Sequence, residues 1–417
     1  MKLTYILAVA VYIFFFIRNK NSKSFITELM LFLVIAAPGL QISGVLVNPI
    51  DIISPVIFIW VLFFRSSKIQ FTRTEKAYLL FLIIIAISVL LNFNAYQSIF
   101  VPLLQVFRLF EVLFVVTIFK KCYNGISSAE ILNSVNVYGI VLCLISCVSF
   151  FEQDTIYNAG QIITSGPLNG YARAGGVFGE ASYFGFMTVI LFLTGVYALK
   201  NSKISYKINA VIVITLSIIC NVLSYTRISN ISLIIALIFV LLRRITLKKL
   251  CFIAGACVVF LIVVTQSKFL YSFIFERMLK TLDFSNGFNT ISSGRLDVWQ
   301  AALNKFFESN RFFFGIGYKN NTLADNMFLM SLTQMGICGL LSFLIVLVTM
   351  GSQVIKKRES FCVLLFFNVV LMSITCDVFT YSRPLSLMFI LFLIYETPKS
   401  VNICNNHKKK LITETLS

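Results

Sequence analysis

Apolar stretches long enough to cross a bilayer recur along the whole chain, and no other feature narrows its fold so far. Runs such as FIWVLFF, LLFLIIIAISVLL and ISLIIALIFVLL follow one another at short intervals, too long and too many for one soluble core. Hydropathy predicts thirteen spans, near 3–17, 25–47, 50–64, 77–93, 99–119, 131–151, 181–199, 208–224, 229–242, 250–266, 327–350, 361–377 and 385–397. Hydrophobic residues make up 58% of the chain and charged residues 12%, against about 45–50% and about 25% in soluble domains. That balance excludes a cytosolic globular enzyme, a disordered chain and a disulfide-built secreted scaffold. The expected fold class is an all-α polytopic integral membrane protein with about 12–13 transmembrane helices.

The formal charge of +18 would suggest a nucleic-acid partner in a soluble protein. Here its distribution points elsewhere: to the anionic bilayer, with no nucleic acid among the expected partners. Arg18, Lys20 and Lys23 lie in the loop 18–24, and Arg65, Lys68, Arg73 and Lys76 in 65–76; segments 120–121, 200–207, 243–249, 356–358 and the tail continue the series. These seven segments hold 23 of the 35 Lys and Arg residues, and they fall on every second loop. Cytoplasmic loops carry such an excess, so the N-terminus is expected outside and the C-terminus inside. The first apolar run follows Met1 and Lys2 and lacks a small-residue cleavage site, which reads as a retained helix. The ten cysteines lie in or near apolar segments, short basic loops or the tail and read mainly as small hydrophobes in packed helices.

The remaining loops face outward, and two are long, 152–180 and 267–326. Long loops in a compact architecture are usually functional. The expected organisation is a single transmembrane helical domain over 1–398 carrying these two loops, followed by a polar cytoplasmic tail over 399–417. Within the second loop, Leu296, Trp299, Ala302, Leu303 and Phe306 recur at helical spacing, as do Phe269, Phe273 and Leu282 upstream. Both stretches read as amphipathic helices at the outer interface.

No phosphate-binding loop ending in Lys-Ser or Lys-Thr and no His/Cys cluster at metal-ligand spacing is present; the single histidine, His407, lies in the tail. Neither a nucleotide-driven pump of that type nor a metal or other cofactor is expected. Instead, isolated arginines stand beside glycines and aromatics on the outer side. Arg173 lies in NGYARAGGVFGEASYFGF, Arg227 in SYTRISN, Arg295 in SSGRLDVW, and Arg383 before Pro384. The guanidinium fork is always charged and suits phosphate oxygens, so converging arginines would hold a lipid-linked pyrophosphate; singly, each is as well explained by a headgroup or a carboxylate partner. Glu180 and Asp325 stand where long loops re-enter the membrane and are the candidate bases, with helix capping the plainer role for each. Spacing does not choose between them. Arg108 and Glu111, three apart in an apolar run, are expected to neutralise one another.

Several of these pieces fall into a known order. Gly294-Arg295, Trp299, Gly315-x-Gly317, Asp325-Asn326 and Gly336-x-x-Gly339 resemble the signature of the O-antigen polymerase and ligase superfamily. The stretch from Arg173 through Glu180 and Ser182 to Tyr183 is similar to a polymerase motif of Arg, Gly, Phe and Glu-Pro-Ser-Tyr, with Ala181 in place of Pro. Thr226-Arg227 resembles the Ser-Arg that opens a later helix. Ligases commonly carry His where Asp325 stands, and many have Pro-Asn rather than Glu180; both departures lean toward polymerase.

The resemblance implies a bacterial inner-membrane glycosyltransferase, multi-pass and active on its periplasmic side. Its substrate would be an undecaprenyl-pyrophosphate-linked oligosaccharide, moved as a growing glycan onto the non-reducing end of another lipid-linked repeat unit. No metal is expected in that step, and a chain-length regulator is an expected partner. Arg295 with Glu180 or Asp325 would carry the chemistry; Arg173, Arg227, Arg295, Arg383, Trp299, Asn326 and Tyr183 would bind pyrophosphate or sugar. The alternatives are a ligase passing finished polymer to lipid A–core and a lipid-linked oligosaccharide flippase. A flippase needs charged residues along a central cavity, whereas intramembrane charges here are few, essentially Glu28, Arg108 and Glu111.

Overall fold

A computed structural model describes residues 3–395 apart from 23, 43–44, 65–69, 97, 124–125, 152–163, 169–170, 179, 202, 243–294, 321–324 and 358. The expected span at 250–266, the amphipathic stretch at 269–283 and the tail 399–417 lie outside the described residues.

Helices account for the architecture, as the apolar runs predict. In chain order they are α1 (Leu3–Asn19), α2 (Phe25–Ile35), α3 (Pro49–Phe64), α4 (Arg73–Leu91), α5 (Phe100–Cys122), α6 (Ser128–Phe151), α7 (Ala181–Asn201), α8 (Ile204–Ser224) and α9 (Arg227–Leu242). They continue with α10 (Arg295–Glu308), α11 (Met327–Lys357), α12 (Ser360–Ser373) and α13 (Ser382–Ile394). Among the described residues, α4, α5, α6, α7, α8 and α11 are long and apolar enough to cross a membrane. Shorter apolar helices α1, α2, α3, α9, α12 and α13 pack among them. The chain is a multi-pass membrane protein.

Buried at every residue, α13 is the centre of the bundle; α2, α5 and α7 pack around it. Between apolar helices in lipid, close approach and hydrogen bonds drive association rather than the hydrophobic effect. Gly139 and Gly195 let α6, α7 and α8 approach, and Gly185 lets α7 approach α9, so closely that an added Cβ would fall within 2.8 Å of a neighbouring side chain. Asn221 of α8 donates to the Thr188 hydroxyl of α7 at 2.8 Å, and Asn209 to Asn133 of α6 at 2.9 Å; such bonds contribute about 0.6 kcal/mol each in a membrane. At the other end of α4, Thr72 and Glu75 form a capping box, and Lys120 at the end of α5 donates to the same Glu75 carboxylate at 2.5 Å.

Two expectations are corrected here. The run 25–47 is not one span: α2 stops at Ile35, and after Pro38 and Gly39 the chain forms an antiparallel hairpin of β1 (Leu40–Ile42) and β2 (Val45–Val47). Proline offers no N–H to continue a helix, yet the residues stay apolar, so hydropathy runs straight through the break. The second correction concerns Arg108, which bonds Asp51 of α3 through Nε at 3.2 Å and Nη2 at 2.8 Å rather than being neutralised by Glu111. A carboxylate on the neighbouring helix gives a two-pronged contact that a partner one turn away on the same helix does not.

Candidate functional site

At one end of the bundle the first long loop folds into a second hairpin, β3 (Thr164–Leu168) with β4 (Tyr171–Ala174), and a 3-10 turn over Gly176–Phe178. Gly176 has φ +56 and so near an approach that a Cβ would lie 2.8 Å from the Phe184 ring and 2.9 Å from the Ser146 hydroxyl. This fixes Arg173 on one side of the turn and Glu180 on the other. From β4, Arg173 donates to the Ser224 carbonyl at 3.2 Å and to the Thr226 hydroxyl at 3.4 Å. Ser224 ends α8, Tyr225 takes a left-handed conformation with φ +50, and the exposed Arg227 opens α9. Arg173 and Arg227 are thus gathered at one turn. The charge of Arg295, first residue of α10, acts on Arg227, which sets a third arginine within electrostatic range of that turn.

A second structural unit carries the acidic half. The segment after α10 lies against a break in α11, backbone to backbone. Ile316 and Gly317 donate to the carbonyls of Thr333 and Gln334 at 3.0 and 3.1 Å, while Ile337 and Cys338 donate to those of Phe312 and Phe313 at 2.8 and 3.2 Å. Gly336 makes this possible with φ +72 and ψ −167; a Cβ there would sit 2.3 Å from the Phe313 carbonyl oxygen. From the other side Asn92 and Tyr96, just past the end of α4, donate to the Gly315 and Tyr318 carbonyls of the loop, and Ser88 within α4 donates to the Gln334 carbonyl at the break in α11. The Gly-x-Gly and Gly-x-x-Gly elements of the sequence are therefore one joint. It presents Lys319 just before the loop end and Asp325 just ahead of α11.

Lys319 Nζ lies 2.9 Å from Asp377 Oδ2, and the Thr380 hydroxyl donates to the same oxygen at 2.9 Å. Burial alone would raise the Asp377 carboxyl, but the Lys319 charge and these two hydrogen bonds outweigh it and hold the group below the usual range. Burial would conversely lower Lys319, and Asp377 overcomes it so that the ammonium stays firmly charged. Glu180, immediately before α7, accepts a hydrogen bond from the Tyr381 hydroxyl at 2.9 Å. It keeps an open face to solvent. Even so, the surrounding protein and then the Asp377 charge push its carboxyl above the ordinary range, against the pull of Tyr381 and Lys319. Asp325 is raised as well, by loss of solvent first and Asp377 next, with Arg295 opposing.

The cationic and acidic halves meet where Arg295 Nε lies 3.6 Å from Asp325 Oδ2, with side chains 36% and 57% exposed. So open an ion pair contributes at most about 1 kcal/mol, and an incoming phosphate can take the arginine without large loss. Of the residues singled out in the sequence, Arg173, Arg227, Arg295, Glu180 and Asp325 come together. Arg383 does not join them: it is 2% exposed, its Nε bonded to the Val34 carbonyl at 2.9 Å and its guanidinium 4.6 Å over the Phe178 ring. Tyr183 is stacked on Tyr381 and Phe178. Asn326 caps α11 by accepting from the Leu329 N–H at 3.0 Å.

Trp299 faces a groove of about 440 Å³ between α10 and α11, with Leu303, Leu329, Leu332, Leu340 and Leu344 in its walls. Asn326 stands at that groove, next in sequence to Asp325. Sequence reasoning missed Lys319, Asp377 and Tyr381. A lysine two residues past Gly-x-Gly was a usable signal; Asp377, in SITCDVFTYSRP, had none. Among the described residues no three His, Cys, Asp or Glu side chains are grouped to hold a metal ion.

Residues 210–344, roughly a third of the chain, match the family model described as O-antigen ligase. The matched stretch runs from within α8 to within α11 and includes Arg227, Arg295, Lys319 and Asp325. It supports the O-antigen polymerase and ligase superfamily and does not separate the two activities. No curated protein matches the chain.

Proposed function

We propose that the protein polymerises oligosaccharide repeat units carried on undecaprenyl pyrophosphate, at the periplasmic face of the bacterial inner membrane. The observation that carries this reading is the meeting of three arginines with two raised carboxylates across Arg295 and Asp325. A lipid-borne pyrophosphate needs fixed positive charge, and a sugar hydroxyl that attacks needs a base held above its ordinary range.

In this reading Arg173, Arg227 and Arg295 bind the donor pyrophosphate. The acceptor hydroxyl oxygen forms a bond to the anomeric carbon as the bond from that carbon to the phosphate oxygen breaks. The electron pair leaves with the pyrophosphate, where the guanidinium groups offset it. The hydroxyl proton passes to Glu180 or Asp325, and the anomeric configuration inverts. Lys319, held by Asp377, adds a fourth positive charge beside the carboxylates. The groove below Trp299 gives apolar surface to lipid or sugar. A chain-length regulator acting beside the enzyme belongs to the same reading.

Polymerase is favoured over ligase because the base position before α11 holds Asp325 rather than histidine, and Glu180 rather than Pro-Asn follows Phe178 and Gly179. Ligation to lipid A–core is the second reading, supported by the description of the matched family. A gel of surface polysaccharide from a strain lacking the gene separates them. Collapse of the ladder to one repeat unit on lipid A–core is the expected result. Loss of every unit from the core, with polymer kept on its carrier, means ligase, and an unchanged ladder contradicts both.

A further inference from the structure

Tyr381 joins the 3-10 turn over Val378–Thr380 to α13, is 4% exposed, and sends its hydroxyl 2.9 Å to Oε1 of Glu180. The transfer proposed for the site gives it no role. Its ring is nevertheless held from several directions. Tyr183 stacks on it at 4.6 Å between centroids and 17° between planes, and Phe178 stacks on Tyr183 at 4.7 Å and 25°. The Arg383 guanidinium lies 4.6 Å over Phe178, and its Nε is bonded at 2.9 Å to the end of α2 at Val34. The Arg383 backbone N–H also donates to the Tyr183 hydroxyl at 2.9 Å. Two short segments, 178–183 and 381–383, therefore interlock through rings, a guanidinium and a backbone N–H, and Glu180 is part of the first.

Stacks of this kind fix planar rings at offset contact and contribute about 0.5–1.5 kcal/mol each beyond the area they bury. A cation over a ring adds to that when desolvated. The consequence is local: a hydroxyl whose ring cannot turn presents its proton to one carboxylate oxygen. Oε1 is occupied by this bond, and Glu180 as a whole is exposed, so Oε2 is the oxygen left to take a proton.

We infer that Tyr381 is the positioning residue of Glu180, its hydroxyl fixed by the ladder of Tyr183, Phe178 and Arg383 so that Oε2 receives the acceptor proton. This rests on the reading of Glu180 as the base. The groups facing Glu180 are Asp377 and Asp325, whose charges raise its carboxyl, and Lys319 and Tyr381, which lower it. A hydrogen bond to a carboxylate favours the charged form, so removing the Tyr381 hydroxyl makes Glu180 harder to ionise.

The test needs no substrate in its first arm. The carboxyl stretch of Glu180 is followed by infrared difference spectroscopy against pH on the full chain in nanodiscs, and assigned by its loss in Glu180→Gln. Tyr381→Phe keeps the ring and its stack. Its Glu180 midpoint moves to higher pH, and Tyr183→Phe moves it in the same direction by less. With lipid-linked repeat units isolated from the deletion strain, Tyr381→Phe lowers kcat about tenfold, as the loss of one hydrogen bond to a charged group predicts. KM is unchanged, and the acidic limb of the rate profile shifts with the midpoint. A midpoint that stays in place in Tyr381→Phe overturns the inference, whatever the activity. A midpoint that moves while Glu180→Gln still polymerises at the normal rate overturns the role of Glu180 as base, and the positioning role with it.

Discussion

Arg295 is the residue on which both halves of the site depend, since its charge acts on Arg227 and its Nε lies 3.6 Å from Asp325 Oδ2. Arg295→Ala is expected to abolish polymer while the protein still reaches the membrane. Arg295→Lys keeps the charge but not the fork, and a residual short ladder is the expected outcome on the same gel. Asp377 makes a different prediction. Its carboxyl is held below the usual range, so it stabilises the fold above the ordinary aspartate range and loses that contribution as pH falls through its folded value. Asp377→Asn leaves Lys319 without its charge partner and is expected to cost about 1.5–3 kcal/mol, read as a lower melting temperature in detergent at neutral pH. The double change Asp377→Asn with Lys319→Met restores part of the stability and none of the activity. Restored activity would remove Lys319 from the site.

Among the elements, the joint of α11 with the 311–320 loop brings Lys319 to the acidic half, and glycine is what permits it. Gly336→Ala meets both a left-handed φ of +72 and a carbonyl oxygen 2.3 Å from the new Cβ. A loss of about 2–3 kcal/mol is expected, with polymer falling in parallel. Gly351→Ala further along the same helix meets only the Phe366 ring at 3.1 Å and serves as the control, with little change expected in melting temperature. The helices themselves were legible as apolar runs, and the Gly-x-Gly, Gly-x-x-Gly and Trp299 segments as parts of a family signature, though not as a loop packed on a broken helix. What was not legible has a common cause. Asp51 meets Arg108 and Asp377 meets Lys319 across 57 and 58 residues of sequence, and helical spacing says nothing about pairs made between distant elements. The break after α2 was hidden for another reason, because backbone direction changed at Pro38 and Gly39 while hydropathy did not.

At the scale of the whole molecule, the described residues form six long apolar helices and shorter ones around the buried α13, and these carry the site at one end of the bundle. There, segments from four distant parts of the sequence meet, one of them the turn between α8 and α9 that carries Arg227. Arg173 and Glu180 come from the first long loop, Arg295 and Asp325 from the second, and Asp377 and Tyr381 from the turn before α13. That convergence explains how a chain with few intramembrane charges can still gather four cations and three carboxylates at one place. The most direct test of the central claim is reconstitution of the purified protein in liposomes with lipid-linked repeat units from the deletion strain as sole substrate. A ladder of lengthening lipid-linked glycan is expected, with one undecaprenyl pyrophosphate released per bond formed, and both are lost in Arg295→Ala. Repeat units that stay single on their carrier, and become attached only when lipid A–core is added, would contradict it.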